Sequence, residues 1–229
     1  MIYFYDFETT GTNPNQDLPI QVACLTDDEE EIINCLANPG ISIDAGATMV
    51  HGISNNMVMD QVSSSYAVWD MLRRIQEHAA SLEEPVILAG YNIQRYDMCI
   101  LGRCFKPWFS YSVLDVMRTV YRYEPHLPSK KLSDVHLALT KTPLEGAHGA
   151  IADCMGTRAV WHALSAKHSL TVNASVEELK VPKVYNTMPV GKYRGLPLEK
   201  VPISWAEWMR KNATDLDPDM EATISHFFG

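Results

Sequence analysis

The chain has 229 residues, 46% of them hydrophobic and 21% charged, which suits one sizeable globular domain with a small appendage. No apolar run approaches the ~18 residues that a transmembrane helix needs, so no membrane span and no membrane partner are expected. The formal net charge of −9 argues against a passive nucleic-acid binder, whose surface is ordinarily basic. It does not argue against an enzyme whose clustered carboxylates hold divalent cations. The N-terminal residues Met1 to Asp6 lack a basic n-region and read as a strand that starts at once rather than as a signal peptide.

Residues 2–8 alternate within an apolar and aromatic run, as a buried strand does, and Gly11 to Asn15 form a turn cluster. Ile20 to Leu25 and Ile32 to Leu36 read as a hairpin with an acidic tip, Asp27 to Glu31. Thr48 to Asp60 is a loop into a short helix with Ser54 as N-cap, and Tyr66 to Ala80 has helical periodicity. Pro85 to Ala89 is a strand and Arg95 to Phe105 a helix. Ser112 to Val116 is a strand end that leads into a helix through about Tyr123. Glu124 to Ser129 carries two prolines and is a loop, and Lys131 to Leu139 is a helix. Ala147 to Lys167 is the strongest helical pattern, with a broad apolar face that includes Ile151, Cys154, Val160 and Leu164. Residues 180–190, with Pro182 and Pro189, form a linker. After it, Tyr193 to Val201 reads as a hairpin, and Ser204 to Lys211 and Pro218 to Phe228 as two short helices. This order predicts an α/β domain with a mixed sheet flanked by helices over 1–179, and a small α+β module over 180–229.

Five cysteines without a CxxC pair fit buried thiols in a reducing cytoplasm better than a disulfide framework or a zinc ribbon. Residues 180–211 carry seven basic side chains against two acids, a local +5 that suits a surface able to follow phosphates or meet a partner.

Chemistry enters with Asp6-Phe7-Glu8. Side chains alternate across a strand, so both acids share one face of an apolar strand. Two like charges buried together are costly until a cation neutralises them, and oxygen ligands suit a hard cation such as Mg²⁺ or Mn²⁺. Asp97 would lie in the first turn of a helix, where an acid is ordinarily a partner of the helix dipole. Asp153 sits on the most apolar helix, where an unpaired acid is expensive. His148 is five residues earlier, about 500° of helical rotation away. It therefore belongs in the loop or first turn, above a site that Asp153 reaches from within the helix.

Asp-x-Glu on the first strand, Asn-x₃-Tyr-Asp at a helix start and His-x₄-Asp on a late helix together resemble the DEDD exonuclease superfamily in its histidine-bearing, DnaQ-like branch. The resemblance spans roughly residues 1–168. The stretches Tyr5 to Pro14, Gly90 to Asn92, Leu114 to Arg118 and Ala147 to Asp153 look like the exonuclease I members of that branch. The tail Gly191 to Pro197 looks like the C-terminal module of exonuclease X, although Val190 stands where that module has an aromatic residue.

The resemblance implies a ribonuclease H-like fold and hydrolysis of phosphodiester bonds from the 3′ end, with 5′-mononucleotides as products. It implies two Mg²⁺ (or Mn²⁺) ions about 4 Å apart. Asp6 would bridge both ions, Glu8 and Asp153 would complete one site, Asp97 would hold the second, and His148 would act as general base. It nominates Thr9, Thr10, His51, Tyr96 and Lys131 as contacts to the substrate, with single-stranded DNA as the favoured polymer. An RNA exonuclease or oligoribonuclease remains open, as does a non-catalytic nucleic-acid-binding or polymerase-associated protein, or one with a repair partner. Asp115 and Arg118 are expected to form a structural i,i+3 pair outside the metal site.

Overall fold

A computed structural model describes residues 1–189, 191–212 and 216–228, so Val190 lies outside the described residues. The chain begins with β1 (Ile2–Thr9), whose IYFYDFET sequence buries alternate side chains on both faces of a sheet. β2 (Pro19–Thr26) and β3 (Glu31–Leu36) follow as the expected hairpin. Two short helices, α1 (Ala45–His51) and α2 (Asn55–Val58), precede the long α3 (Ser64–Leu82). β4 (Val86–Gly90), α4 (Asp97–Cys104), β5 (Tyr111–Asp115) and α5 (Val116–Tyr123) come next. α6 (Leu132–Thr140), α7 (Ala150–His168) and α8 (Val172–Lys180) complete the part of the chain ahead of the tail.

The five strands form one sheet in the order β3-β2-β1-β4-β5. The β1/β2 and β2/β3 pairs are antiparallel, whereas β1/β4 and β4/β5 are parallel. This is the mixed, ribonuclease H-like α/β architecture that the sequence led us to expect. β4 is apolar along its whole length and wholly buried, as a parallel strand covered on both faces must be.

The two faces bury separate cores. Tyr3, Tyr5 and Phe7 point toward α3 and α4, while Ile2 and Phe4 point toward α5 and α7. Period-two alternation carries that second face onward to Asp6 and Glu8. The acids therefore emerge where the helix that bears Asp153 packs.

Two helices were not expected. α1 has little apolar periodicity, and its limits are set by its ends: Asp44 caps it by accepting from the Gly46 amide, and Gly52 ends it at φ 76°. α8 is capped by the Thr171 hydroxyl and buries Val176 and Leu179 against the α5/α7 face.

The tail differs from the expected hairpin at Tyr193 to Val201. Short 3₁₀ turns occupy Gly191–Tyr193 and Leu198–Lys200 instead. The strand-like pairing joins Thr187 to Pro197, with the Gly195 and Leu198 amides bonded to the Met188 and Asn186 carbonyls. Gly195 at φ 80° and Pro197, which has no N–H to donate, prevent regular pairing inside 193–201. α9 (Ile203–Asn212) and α10 (Pro218–Phe228) follow as two helices. They share a small apolar cluster with Tyr185, Met188 and Leu198, packed against Tyr121 of α5.

Candidate active site

β1 runs beside β4 only from Ile2 to Phe4. Beyond Phe4 the ladder to β4 stops, which frees the Phe7 amide to donate to Asp97 Oδ1 at 3.2 Å. The chain leaves β4 through Gly90, where a Cβ would lie 2.8 Å from the Tyr5 carbonyl oxygen and closer still to the Ile93 side chain. Only glycine allows that approach, and it lets the 91–96 loop return Asp97 to β1. Asp115, at the end of β5, holds this loop: it accepts from the amides of Asn92 at 3.2 Å and Gln94 at 3.1 Å.

Asp115 also accepts from the Arg118 amide at 3.2 Å and so caps α5. The expected side-chain pair with Arg118 is replaced by this backbone bond, because the guanidinium turns away to Asp219, 2.7 Å distant. Asp115 stays outside the cation cluster, as expected.

From the other face, α7 is pinned over β1 and β2. The Ala150 amide donates to Gln21 Oε1 at 3.3 Å, and Gln21 is the register partner of Glu8. Ligand oxygens of Asp6, Glu8 and Asp153 consequently lie within 4.8 Å of one another, all three side chains half-buried. His148 precedes the helix at φ 70°, with Gly149 as N-cap, so it sits in the loop with its side chain exposed.

A cleft of about 660 Å³ joins His148 and Asp153 to Tyr91, Asn92, Tyr121 and Lys131. Four of the five expected catalytic side chains thus line this cleft or the carboxylate cluster that Asp153 shares with it. Asp97 is buried beside them, 3% exposed and bonded to the strand.

Burial and mutual repulsion dominate the electrostatics of these carboxylates. Burial, then Asp97, Glu8 and Asp153, push the Asp6 carboxyl well above the usual range. Burial and Asp153 raise Glu8 to about 7. Burial raises Asp97 to about 8 against the opposing hydrogen bond from Phe7, with Asp115 and Glu8 adding to the rise. Asp153 is raised by burial and partly relieved by the backbone amide and charge of His148. Carboxylates that repel one another on hard oxygen donors fit a divalent cation. Asp6, Glu8 and Asp153 could hold it directly.

The nominated substrate contacts differ in what they are free to do. Lys131 is exposed and lines the cleft. His51 is half-buried against the Thr9 backbone, with Nδ1 accepting from the Ile53 amide, and burial lowers its pKa. Thr9 Oγ1 and Tyr96 Oη lie 2.6 Å apart, and both bond the Gly11 carbonyl, so they latch the turn after β1. Thr10 is 2% exposed and turned inward onto Asp17 at 2.7 Å.

Among the lining residues that were not nominated, Asn92 stands out. Asn92 Oδ1 is buried without a hydrogen-bond partner and the residue lines the cleft. Its signal in the sequence is an asparagine two residues after a strand, where the backbone needs φ 65°. Lys130, next to Lys131, is instead spent on structure, donating to the Glu124 and Leu127 carbonyls at 2.8 and 3.0 Å.

Comparison with known proteins agrees with this geometry. The RNase_T family, described as exonuclease, matches residues 3–160. Exodeoxyribonuclease I of Escherichia coli (strain K12) is 26% identical over 246 residues, covering 88% of this chain and 50% of its own length. The chain therefore spans about half of that relative. A solved structure of E. coli exonuclease I in complex with a dA16 oligonucleotide superposes with a TM-score of 0.55 at 21% identity, covering 78% of this chain and 42% of that one. Exonuclease X in complex with 5′ overhanging duplex DNA superposes with a TM-score of 0.57 at 17% identity, covering 77% of this chain and 98% of that one. At these identities the superpositions speak for the fold.

Proposed function

The chain belongs to the RNase_T exonuclease family, and from that premise we propose that it is a metal-dependent 3′–5′ exodeoxyribonuclease acting on single-stranded DNA. The observation that carries this reading is the cluster of Asp6, Glu8 and Asp153 beside a cleft that also holds His148.

Asp6, Glu8 and Asp153 would hold one Mg²⁺ or Mn²⁺, and Asp97 together with Asp6 a second. Bound cations supply Lewis-acid stabilisation of the charge that builds on the phosphate and lower the pKa of water. The chain's own groups do the rest. His148, exposed at the cleft and moored by its backbone to Asp153, takes the proton of the attacking water. The water oxygen bonds to phosphorus as the bond from phosphorus to the 3′-oxygen breaks; that oxygen takes a proton from solvent and stays as the 3′-hydroxyl of the shortened strand, and a 5′-mononucleotide leaves. Lys131 meets a backbone phosphate, and His51 borders the last bases. Tyr96, held by Thr9, borders the terminal sugar. Thr10 supports that turn from within rather than touching the nucleotide.

Single-stranded DNA is favoured by likeness to exonuclease I, a relative solved with an oligonucleotide bound. The test compares 3′-labelled and 5′-labelled single-stranded DNA, duplex DNA and RNA with Mg²⁺ or Mn²⁺. Stepwise loss from the 3′ end of single-stranded DNA, abolished by chelator, is the expected result. Release of internal fragments would overturn the exonuclease reading, and preference for RNA would move the substrate.

A further inference from the structure

The tail carries a second groove that the carboxylate site does not use. It lies between the Gly191–Tyr193 turn and α9, has a volume of about 550 Å³, and is lined by Lys192, Tyr193, Trp205, Trp208 and Met209 among others. Tyr193 packs edge-on against Trp205, with ring centres 5.9 Å apart and planes at 88°. Lys192 Nζ sits 4.8 Å from the centre of the Tyr193 ring. These contacts fix one wall of the groove. Trp208 follows Trp205 by three residues, so it shares that face of α9, and it is 57% exposed. A large ring left open beside an apolar groove marks a binding surface.

Charge narrows the ligand. Among the described residues no carboxylate lines the groove, and residues 180–211 carry +5 in a chain of −9. Exposed aromatic rings flanked by lysine suit unpaired bases, which stack on ring faces while cations follow the phosphates. Position narrows it further. Arg194, next to the groove's turn, donates to the Pro125 and Pro128 carbonyls. Those residues belong to the loop that ends in Lys130 and Lys131 at the active cleft. The groove is thereby tied to the rim of the cleft.

We propose that this groove is a second binding site for single-stranded DNA, which stacks unpaired bases of the strand whose 3′ end occupies the cleft. The proposal rests on the function proposed above for the identity of the strand.

The test measures binding of 5′-fluorescein oligothymidylates by anisotropy in EDTA, using strands of about 4 and about 16 nucleotides. The full chain is compared with Trp208→Ala, Trp208→Phe and Lys192→Glu, each checked for fold by circular dichroism. Trp208→Ala should weaken the long strand about ten-fold and leave the short one unchanged, and Trp208→Phe should restore most of the loss. Lys192→Glu should weaken the long strand and flatten its salt dependence. Hydrolysis of the short strand with Mg²⁺ should be the same in all three variants. Equal affinity of wild type and a folded Trp208→Ala for the long strand overturns the proposal and leaves the groove to a protein segment. The binding assay needs no turnover. A chain that binds as described but never shortens a strand sinks the exonuclease reading, and one that binds and shortens the long strand equally well without Trp208 sinks this one.

Discussion

Two buried carboxylate sites in this molecule shift in opposite directions. Asp6 is surrounded by Glu8, Asp97 and Asp153, and its carboxyl is pushed well up. Asp219, wholly buried on α10, receives the Arg118 and Arg122 guanidiniums at 2.7 Å and the Lys183 amide at 3.0 Å. Burial alone would raise it too, but these donors hold it below the usual carboxylate range. The contrast separates an acid kept for structure from acids kept for a ligand. A buried charge that the protein satisfies by itself is a joint, here between α5 and the tail. A cluster that the protein leaves unsatisfied calls for a cation from outside.

The sharpest break in the comparison is a crossed pair of substitutions. Asp6→Asn should lower turnover by about 10³-fold or more, since in the proposed mechanism the several kcal/mol that divalent cations supply depend on it. Its thermal stability should hold or rise, because a repulsion is removed. Asp219→Ala should do the reverse. It leaves two arginines buried without their partner, costing about 3–5 kcal/mol in urea unfolding, with kcat of the folded fraction little changed. Near-normal turnover in Asp6→Asn, or unchanged stability in Asp219→Ala, would erase the distinction. A smaller effect belongs to His148→Ala, about 10²-fold in kcat at pH 7 with KM little moved, measured on single-stranded DNA.

The two sites were unequally visible in the sequence, for physical reasons. Asp6 and Glu8 could be read because strand periodicity is two and their neighbours are aromatic. Asp153 could be read because the rest of its helix is apolar. His148 was correctly placed in the loop, since five residues of helix would have turned it away from Asp153. What no local pattern shows is held by contacts between distant residues, and Asp97 was nominated only through the family resemblance. Asp97 meets the Phe7 amide across 90 residues, and Asp219 meets Arg122 across 97. Nothing local marks an acid in the first turn of a helix as buried, and no motif singles out Asp219. Arg118 misled for the same reason: its near partner in the sequence is Asp115, but its guanidinium prefers the distant Asp219. Thr10 is part of a turn whose interior is set by Asp17, which no motif announces. α1 escaped notice because its caps, not its apolar pattern, define it.

The smallest expected effect is in pH and uses both sites at once. A carboxyl whose folded pKa lies above its unfolded value binds its proton more tightly when folded. Its contribution to stability is then fully present below the unfolded value of about 4 and is lost as pH rises through the folded value. For the metal-free protein that window runs from about 4 up to the values of about 7 for Glu8 and about 8 for Asp97. Asp219 works the other way: its contribution is present above about 4 and is lost as pH falls below it. Between pH 5 and pH 8 Asp219 is therefore constant, so of these two sites only the cluster acts. The Tm in EDTA should fall by about 5 °C over that range, an effect kept small by solvent in a half-open cleft. Mg²⁺ should reverse the fall at pH 8 and do little at pH 5, because protons compete with the cation for the same oxygens. Asp6→Asn should flatten the slope while Asp219→Ala keeps it at a lower Tm. A Tm that rises from pH 5 to 8 in EDTA, or that Mg²⁺ lifts equally at both, would mean that the cluster is not the unsatisfied charge described above.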